Sequence, residues 1–167
     1  HDLEDSGDST YGIFTNADLP YPEVTLSTGE KVRLDAAGYT RYRGVPNRED
    51  RRKVFQAFFG RYSEFTRTLG TTLYAQVKAH MFEKDVHQYD SSLQAALFPD
   101  NIPPAVYHQL IKDVHANLPT LHRYLKLRQE LMGVDQLRYD DLYAPIIKGV
   151  DIHYTPEQAK ELTYQAV

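Results

Sequence analysis

The sequence predicts a mainly α-helical fold, built from long antiparallel helices, with one small β-hairpin near the N-terminus. Apolar residues recur at helical spacing in two long tracts, residues 47–88 and 104–132, as is typical of helices with one apolar face. No proline lies between Pro46 and Pro99, which favours an extended helical region. Two short runs of alternating apolar and polar residues precede these tracts and indicate the hairpin.

The composition excludes several classes of protein. Of the 167 residues 41% are hydrophobic, without a long apolar run, so we expect no membrane-spanning helix. The net charge of −4 argues against nucleic-acid binding, because phosphate contacts need an excess of Lys and Arg. The absence of cysteine excludes disulfides, thiolate zinc sites and thiol nucleophiles. It suits a cytoplasmic protein, with a periplasmic or secreted one left open.

The first 46 residues are interpreted as a polar tail followed by the hairpin. Residues 1–21 begin with a polar, acidic stretch, and we expect a loop there. Alternating runs at residues 23–27 and 30–34 flank a Thr28-Gly29 turn, which is the pattern of a β-hairpin. Because two strands alone are marginally stable, the hairpin is expected to pack against helices.

The helical unit is predicted to extend from residue 47 to residue 167. Asn47 is a candidate N-cap, and two carboxylates follow it in the first turn, where the positive helix end favours them. An unbroken helix from there to residue 88 would be on the order of 60 Å long. A compact globule of this chain length is only roughly 40 Å across. The helix is therefore predicted either to break, at Gly60 or Gly70, or to run through a larger protein.

Two more helices are predicted in the middle of the chain. Ser91–Phe98 is predicted as a short helix. Pro104 suits the first position of a longer helix, and Gly133 suits the position just after its end. Within this helix Pro119 is predicted to cause a kink or a restart, with Asn117 capping the second piece.

A final helix is predicted to open at Thr155-Pro156-Glu157-Gln158, a capping box with proline at the first helical position. The tract over residues 134–153 before it is expected to be irregular. The helical pattern has no stop signal before Val167, and the first residue is not Met. We therefore expect a segment of a longer protein, truncated at its C-terminus, whose uncovered apolar faces would favour self-association.

Seven histidines suggest a metal site, but their spacing argues against one. None begins an H-E-x-x-H motif, in which two histidines one helical turn apart reach the same zinc ion. Three of them recur every seven residues, at His108, His115 and His122. Each step is about 10.5 Å along a helix, too far for one ion. Glu83 and His87 could form half a site, with His80 one turn earlier, but no second half is apparent.

Other candidate residues are given structural interpretations. The cluster Asp90-Ser91-Ser92 lacks a matching base or oxyanion site, so it is interpreted as a helix cap rather than a nucleophile. Three tyrosines could line a peptide groove or pack at a core edge, and they are Tyr124, Tyr139 and Tyr143. Five arginines cluster near the start of the long helix, namely Arg41, Arg43, Arg48, Arg51 and Arg52. Glu49 and Asp50 among them favour an ion-pair network over an anion site.

An ordered series of short stretches resembles the oligoendopeptidase F family over about nine tenths of the chain. In the first half these stretches are Asn16-Ala-Asp-Leu, Pro20-Tyr-Pro-Glu-Val and Asn47-Arg-Glu-Asp-Arg-Arg-Lys-Val-Phe. In the second half they are Gln88-Tyr-Asp-Ser-Ser-Leu-Gln-Ala-Ala-Leu-Phe-Pro, Asn117-Leu-Pro-Thr-Leu-His-Arg-Tyr, Tyr139-Asp-Asp-Leu-Tyr-Ala-Pro and Tyr154-Thr-Pro-Glu-Gln-Ala. Three positions depart from the family pattern: Val86-His87 replace the usual Ala-Arg, and Gln94 replaces the usual Glu.

The resemblance implies an internal segment of a large, mainly helical zinc metallopeptidase related to thimet oligopeptidase. Such enzymes hold zinc through an H-E-x-x-H helix and a downstream Glu, inside a deep channel that admits short peptides. The resemblance puts that helix C-terminal to the region matched here. It implies zinc as cofactor, short peptides as substrates and the remaining catalytic lobe as partner of the full-length enzyme. It implies neither zinc nor activity for the segment alone.

The chain is accordingly assigned no catalytic, cofactor-binding or metal-binding residue, and its substrate-binding residues stay open. A non-catalytic helical interaction or scaffold module is the alternative that the residues allow. A helical metal-carboxylate protein is disfavoured, because the chain lacks the Glu-x-x-His pairs that such a site needs.

Overall fold

The computed structural model describes residues 5–146 and 154–166. Within these ranges the fold is mainly helical, with a single two-stranded antiparallel sheet, as the sequence predicts. The elements in chain order are α1 (Ser6–Ile13), a π-helical turn (Phe14–Asp18), β1 (Glu23–Thr25), β2 (Lys31–Arg33), α2 (Ala36–Tyr42), α3 (Arg48–Glu64), α4 (Thr66–Val86), α5 (Ser92–Leu97), α6 (Pro104–Met132), a 3₁₀ turn (Tyr139–Asp141) and α7 (Pro156–Gln165).

The N-terminal region corrects one prediction, because α1 and the π-helical turn occupy most of the stretch expected to be a loop. Its first four residues lie outside the described ranges. Two glycines and several short polar residues give α1 poor intrinsic helix propensity. Its position depends on packing against α4: a Cβ on Gly7 would lie 2.8 Å from the carbonyl oxygen of Thr72. A tertiary contact that only glycine permits therefore outweighs the local sequence signal.

The β-hairpin is confirmed, with strands shorter than the alternating runs suggest. Val24 pairs with Val32 at the centre of the ladder. Gly29 has a φ of +86°, a backbone conformation that other residues rarely adopt, and its N–H donates to the carbonyl of Leu26 at 2.9 Å. The turn thus follows from the Thr28-Gly29 signal in the sequence.

A small apolar core lies between the hairpin, α2 and α3. Its buried members are Leu26, Val32, Leu34, Tyr39, Val54 and Phe58. The rings of Tyr39 and Phe58 stack with centroids 4.4 Å apart. Helix α2 is short and has no counterpart among the predicted elements; its N-cap Asp35 accepts from the N–H of Gly38 at 2.8 Å. Packing of the hairpin against helices is thereby confirmed.

The long helical tract breaks, but neither at Gly60 nor at Gly70. Its start is as predicted, since Asn47 Oδ1 accepts from the N–H groups of the next two carboxylate residues at 2.9 and 3.1 Å. The break between α3 and α4 is at Phe65, whose ring packs edge-on against Phe14 with centroids 5.1 Å apart. A glycine within a helix costs only about 1 kcal/mol relative to alanine. The two glycines are therefore tolerated, and the break occurs where the N-terminal segment packs.

Both middle helices begin as predicted. Ser91 Oγ accepts from the N–H of Gln94 at 3.1 Å, and Gln94 Oε1 accepts from the N–H of Asp90 at 2.7 Å. Gln94 thus bonds two residues that precede the helix, Ser91 through its backbone N–H and Asp90 through its side-chain oxygen. Pro104 opens α6, and Gly133 follows its end in the left-handed conformation at φ +64°.

Of the kink or restart predicted at Pro119, the restart is wrong, because the helix runs without interruption from Pro104 to Met132, and the kink stays a prediction. Asn117 does not cap a second piece. Its Nδ2 instead donates to the carbonyl of Asp113 one turn earlier, at 2.8 Å. Proline removes one backbone donor, and the hydrogen-bonded turns on both sides of it suffice to hold α6 together.

The final helix has the predicted capping box, with Thr155 and Gln158 bonded reciprocally at 2.9 and 3.2 Å. Helix α7 ends at Gln165, although the sequence has no stop signal. The preceding irregular tract contains the 3₁₀ turn, and its residues 147–153 lie outside the described ranges. No helix in the described part of the chain combines the length and apolar character needed to cross a membrane.

Candidate functional site

The candidate half-site for a metal lies on an exposed face of α4. Glu83 Oε1 is 2.9 Å from His87 Nδ1, and both side chains are at least 40% exposed. His80 Nε2 contacts the amide nitrogen of Gln76 at 3.0 Å. Residues 5–146 and 154–166 contain no group of three His, Cys, Asp or Glu side chains that could hold a metal ion.

The most heavily bonded carboxylate is instead Asp141, which is fully buried. Arg48 donates to its two oxygens from Nε and Nη2, at 3.1 and 2.8 Å. Arg51 donates from Nη2 at 3.0 Å, and the backbone N–H of Arg138 donates at 3.0 Å. Two arginines one turn apart on α3 thus bind a carboxylate about 90 residues later in the chain.

The same residue is bound to α6 through its backbone. Arg128, only 5% exposed, donates from Nε and Nη2 to the carbonyl of Asp141 at 3.2 and 2.8 Å. Its Nη2 also donates to the carbonyl of Ala144, and Nη1 reaches Tyr124 Oη at 3.4 Å. We call Arg48, Arg51, Arg128 and Asp141 the arginine cluster. It connects α3, α6 and the segment after α6.

Arg51 also closes the loop before its own helix. Its Nη1 donates to the carbonyls of Val45 and Pro46, both at 2.9 Å, and its Nε donates to the carbonyl of Asp140 at 3.2 Å. The guanidinium is 3% exposed, so these carbonyls and the Asp141 carboxylate provide the partners that water would otherwise supply.

The arginine cluster shifts the protonation of Asp141. Burial by itself would raise the pKa of this carboxyl group, but hydrogen bonds from Arg48, the Arg138 amide and Arg51 outweigh it. They hold the pKa of Asp141 well below its usual range, and Asp141 in turn raises the pKa of Arg48. The cluster is thus an ionised structural connection rather than a proton donor or acceptor.

A second buried carboxylate connects the hairpin to α3. Both oxygens of Asp50 accept from the N–H of Ser27 at 2.9 Å, and Oδ2 accepts from its hydroxyl at 2.6 Å. Burial opposes ionisation of Asp50, whereas the bonds from Ser27 and the nearby Lys53 outweigh it and lower the pKa. The turn of the hairpin is thereby fixed to the first turn of the helix.

The predicted ion-pair network is therefore wrong in its partners. Arg48 and Arg51 pair with Asp141, while Asp50 is bonded to Ser27. No local sequence pattern predicts a contact between residues so distant in the chain. The one sequence signal is the stretch around Tyr139, which carries part of the resemblance to the oligoendopeptidase F family.

The structure brings two of the three candidate tyrosines together. The rings of Tyr139 and Tyr143 have centroids 6.3 Å apart, and the guanidinium of Arg43 lies 3.7 Å from the Tyr143 centroid. Tyr139 also packs against Phe55 of α3 at 5.5 Å. Tyr124 lies separately on α6, next to Arg128. All three are roughly half exposed at the edge of the arginine cluster.

Comparison with known proteins shows which family this chain matches. The family model described as Peptidase family M3 matches residues 41–167. Group B oligopeptidase PepB of Streptococcus agalactiae is 38% identical over 150 residues, which are 90% of this chain and 25% of that protein. Oligopeptidase PepF of Bacillus subtilis is 33% identical over 93% of this chain and 23% of that protein. The chain thus spans about a quarter of the length of these curated relatives.

Solved structures agree in fold. The crystal structure of oligoendopeptidase-F from Enterococcus faecium superposes with a TM-score of 0.85 and 33% identity, covering 99% of this chain and 31% of that one. The crystal structure of a putative peptidase from Chlamydophila abortus gives a TM-score of 0.83 and 27% identity, covering 98% of this chain and 27% of that one. The resemblance read from the ordered stretches is confirmed, and the chain belongs to peptidase family M3.

Proposed function

We propose that this chain is a segment of a zinc-dependent oligopeptidase that hydrolyses short peptides, and that its helices support the catalytic lobe of the same polypeptide. The observation that carries the proposal is the match to Peptidase family M3 over residues 41–167, combined with coverage of only about a quarter of the oligopeptidase relatives. The remaining three quarters of such a protein would supply the chemistry.

The zinc ion that the family implies does not fit the described residues. Glu83 and His87 are neighbouring side chains of one helix, and no third ligand joins them among the described residues. A catalytic zinc site needs three protein ligands and one open position. We therefore propose that this chain contributes no catalytic, cofactor-binding or metal-binding residue to the enzyme.

The chain's contribution is instead positional. The arginine cluster fixes the segment after α6 against α3 and α6 through five hydrogen bonds from its arginines to one residue, Asp141. A wall that supports a reacting centre must hold its shape, because small displacements lower catalytic rates steeply. In this proposal the helical unit from residue 47 onward forms one side of the substrate channel. The first 46 residues stabilise this unit.

The experiment that tests the proposal is a segment exchange. The matched part of the Enterococcus faecium oligoendopeptidase-F is replaced by this chain, and the cleavage of a quenched fluorescent peptide is measured with zinc bound. We expect the exchanged protein to cleave the peptide, and the 167-residue chain alone neither to cleave it nor to retain stoichiometric zinc. Cleavage or zinc retention by the chain alone would overturn the proposal.

Two further parts of the proposal have their own tests. We propose a cytoplasmic location, supported by the absence of cysteine, and fractionation of the producing cell checks it. The alternative of a non-catalytic scaffold module predicts a well-folded exchanged protein with no peptide cleavage. Such a result, obtained while the parent enzyme is active, would favour the scaffold over the peptidase.

A further inference from the structure

One face of α6 carries a row of exposed apolar side chains. Tyr107, Leu110, Ile111, Val114 and Leu121 are 43, 61, 39, 52 and 49% exposed. Their spacings of three, one, three and seven residues put them on one side of a helix. From the first to the last is fourteen residues, roughly 21 Å along the axis. We call these five residues the α6 stripe.

The α6 stripe continues into a region that is already covered. Leu125, Arg128 and Met132 prolong the same row by further steps of three or four residues. Arg128 is buried against the segment around Asp141, and Leu125 and Met132 are partly buried. The row is therefore a packing surface whose last two turns are covered by this chain, whereas the five residues of the α6 stripe stay 39–61% exposed.

The opposite side of α6 has a different character. Lys112, Ala116 and Arg123 lie about 180° from the middle of the stripe and are exposed. A helix that is apolar on one side and charged on the other packs its apolar side against another element. Large contiguous apolar patches on a protein surface indicate an interaction site.

We propose that the α6 stripe packs against the part of the oligopeptidase polypeptide that the relatives have in addition to the matched quarter. This inference rests on the proposed function. The surface that packs on the stripe is apolar, rich in aliphatic side chains and poor in charged ones, since the stripe has no ionised group that could pair with a charge. It continues the contact that the segment around Asp141 makes with the end of α6.

The relative lengths favour this occupant over a second copy of the chain. The fold of this chain superposes on oligoendopeptidase-F from Enterococcus faecium with a TM-score of 0.85, and the superposed part is only 31% of that protein. A surface in the same polypeptide acts at a high effective concentration, on the order of millimolar for short linkers, which a second molecule does not reach in dilute solution.

The test is carbene footprinting of two proteins, the 167-residue chain and the exchanged Enterococcus faecium protein that contains it. We expect Leu110 and Val114 to be labelled in the chain alone and protected several-fold in the exchanged protein, while Ala116 is labelled equally in both. Equal labelling of the stripe in both would overturn the inference. Protection in the chain alone that is lost on dilution would assign the stripe to a second copy, and would also overturn it.

A pair of matched variants extends the test to function. Val114→Asp and Ala116→Asp both place a carboxylate on an exposed position of α6, on the stripe and on the opposite face. In the chain alone, both should retain the wild-type melting temperature. In the exchanged protein only Val114→Asp should lower the melting temperature and the peptide-cleavage rate. Equal effects would contradict the inference. The footprint remains readable even if the exchanged protein cleaves no peptide, so failure of the proposed function is distinguishable.

Discussion

Arg51 and Asp141 form a buried ion pair across 90 residues of sequence, with Nη2 and Oδ1 3.0 Å apart and side chains 3% and 0% exposed. Two buried charges that form a pair stabilise each other, because removal of either leaves the other buried without a counter-charge. The same carboxylate also binds Arg48, and its backbone binds Arg128. This residue therefore carries much of the connection between α3 and α6.

Replacing the central carboxylate tests that dependence. Asp141→Asn keeps the size of the side chain but leaves Arg48 and Arg51 without a counter-charge. We expect the free energy of unfolding to fall by about 3 kcal/mol, measured by urea denaturation followed by circular dichroism. Asp85→Asn is the control, since Asp85 is exposed and pairs with Lys84 at the surface, where a change of less than about 1 kcal/mol is expected. Equal effects of the two would contradict the central role of Asp141.

Acid should weaken the same connection. The folded pKa of Asp141 lies below its ordinary value of 3.8, so the folded state binds the proton less readily than the unfolded chain. Its stabilising contribution is complete above about pH 5 and is lost as the pH falls toward the folded pKa. The stability difference between wild type and Asp141→Asn, from urea midpoints at a series of pH values, should therefore shrink below about pH 4. A difference that stays constant to pH 2 would contradict the ionised pair.

The guanidinium of Arg128 should resist conservative replacement. Its planar group reaches the carbonyls of Asp141 and Ala144 and the hydroxyl of Tyr124 together, which a single ammonium cannot do. We expect Arg128→Lys to lower the free energy of unfolding by about 2 kcal/mol, with a buried carbonyl left unpaired. Arg123→Lys, at an exposed position of the same helix, should be neutral. An unchanged melting temperature of Arg128→Lys would show that the planar guanidinium group is not needed at this position.

The N-terminal helix should depend on a single glycine. A Cβ at Gly7 would lie 2.8 Å from the Thr72 carbonyl, whereas a Cβ at Gly12 would meet nothing within 4 Å. Gly7→Ala should therefore detach α1 and speed hydrogen exchange in α1 and the facing part of α4. Gly12→Ala should leave exchange unchanged or slow it, because alanine favours helices by about 0.5–1 kcal/mol. Faster exchange in both variants, or in neither, would contradict close packing at Gly7.

The sequence predicts elements whose causes are local. Asn47, Ser91 and Thr155 cap the helices they precede, and Gly29 and Gly133 adopt the positive φ that their positions require. Each of these signals lies within four residues of the structure it determines. The mainly helical class and the hairpin follow from them together with the apolar spacing.

The features that no local sequence pattern predicts depend on contacts between distant residues. The break at Phe65 occurs beside Phe14, and α1 exists where Gly7 meets Thr72. The arginine cluster joins α3 to a turn far along the chain, so the nearby Glu49 gave the wrong partner. The spacing of residues along one helix does not identify the residue that contacts them from another element. The stretch around Asp141 is marked in the sequence only by its resemblance to the family.

The most direct measurement is the rate of peptide cleavage by the Enterococcus faecium oligoendopeptidase-F whose matched segment is replaced by this chain. We expect a folded, zinc-loaded protein that cleaves a quenched fluorescent peptide within about tenfold of the parent rate, because the chain supplies support and no reacting group. A protein with the parent's zinc content and cooperative unfolding, but no cleavage above background, would contradict it.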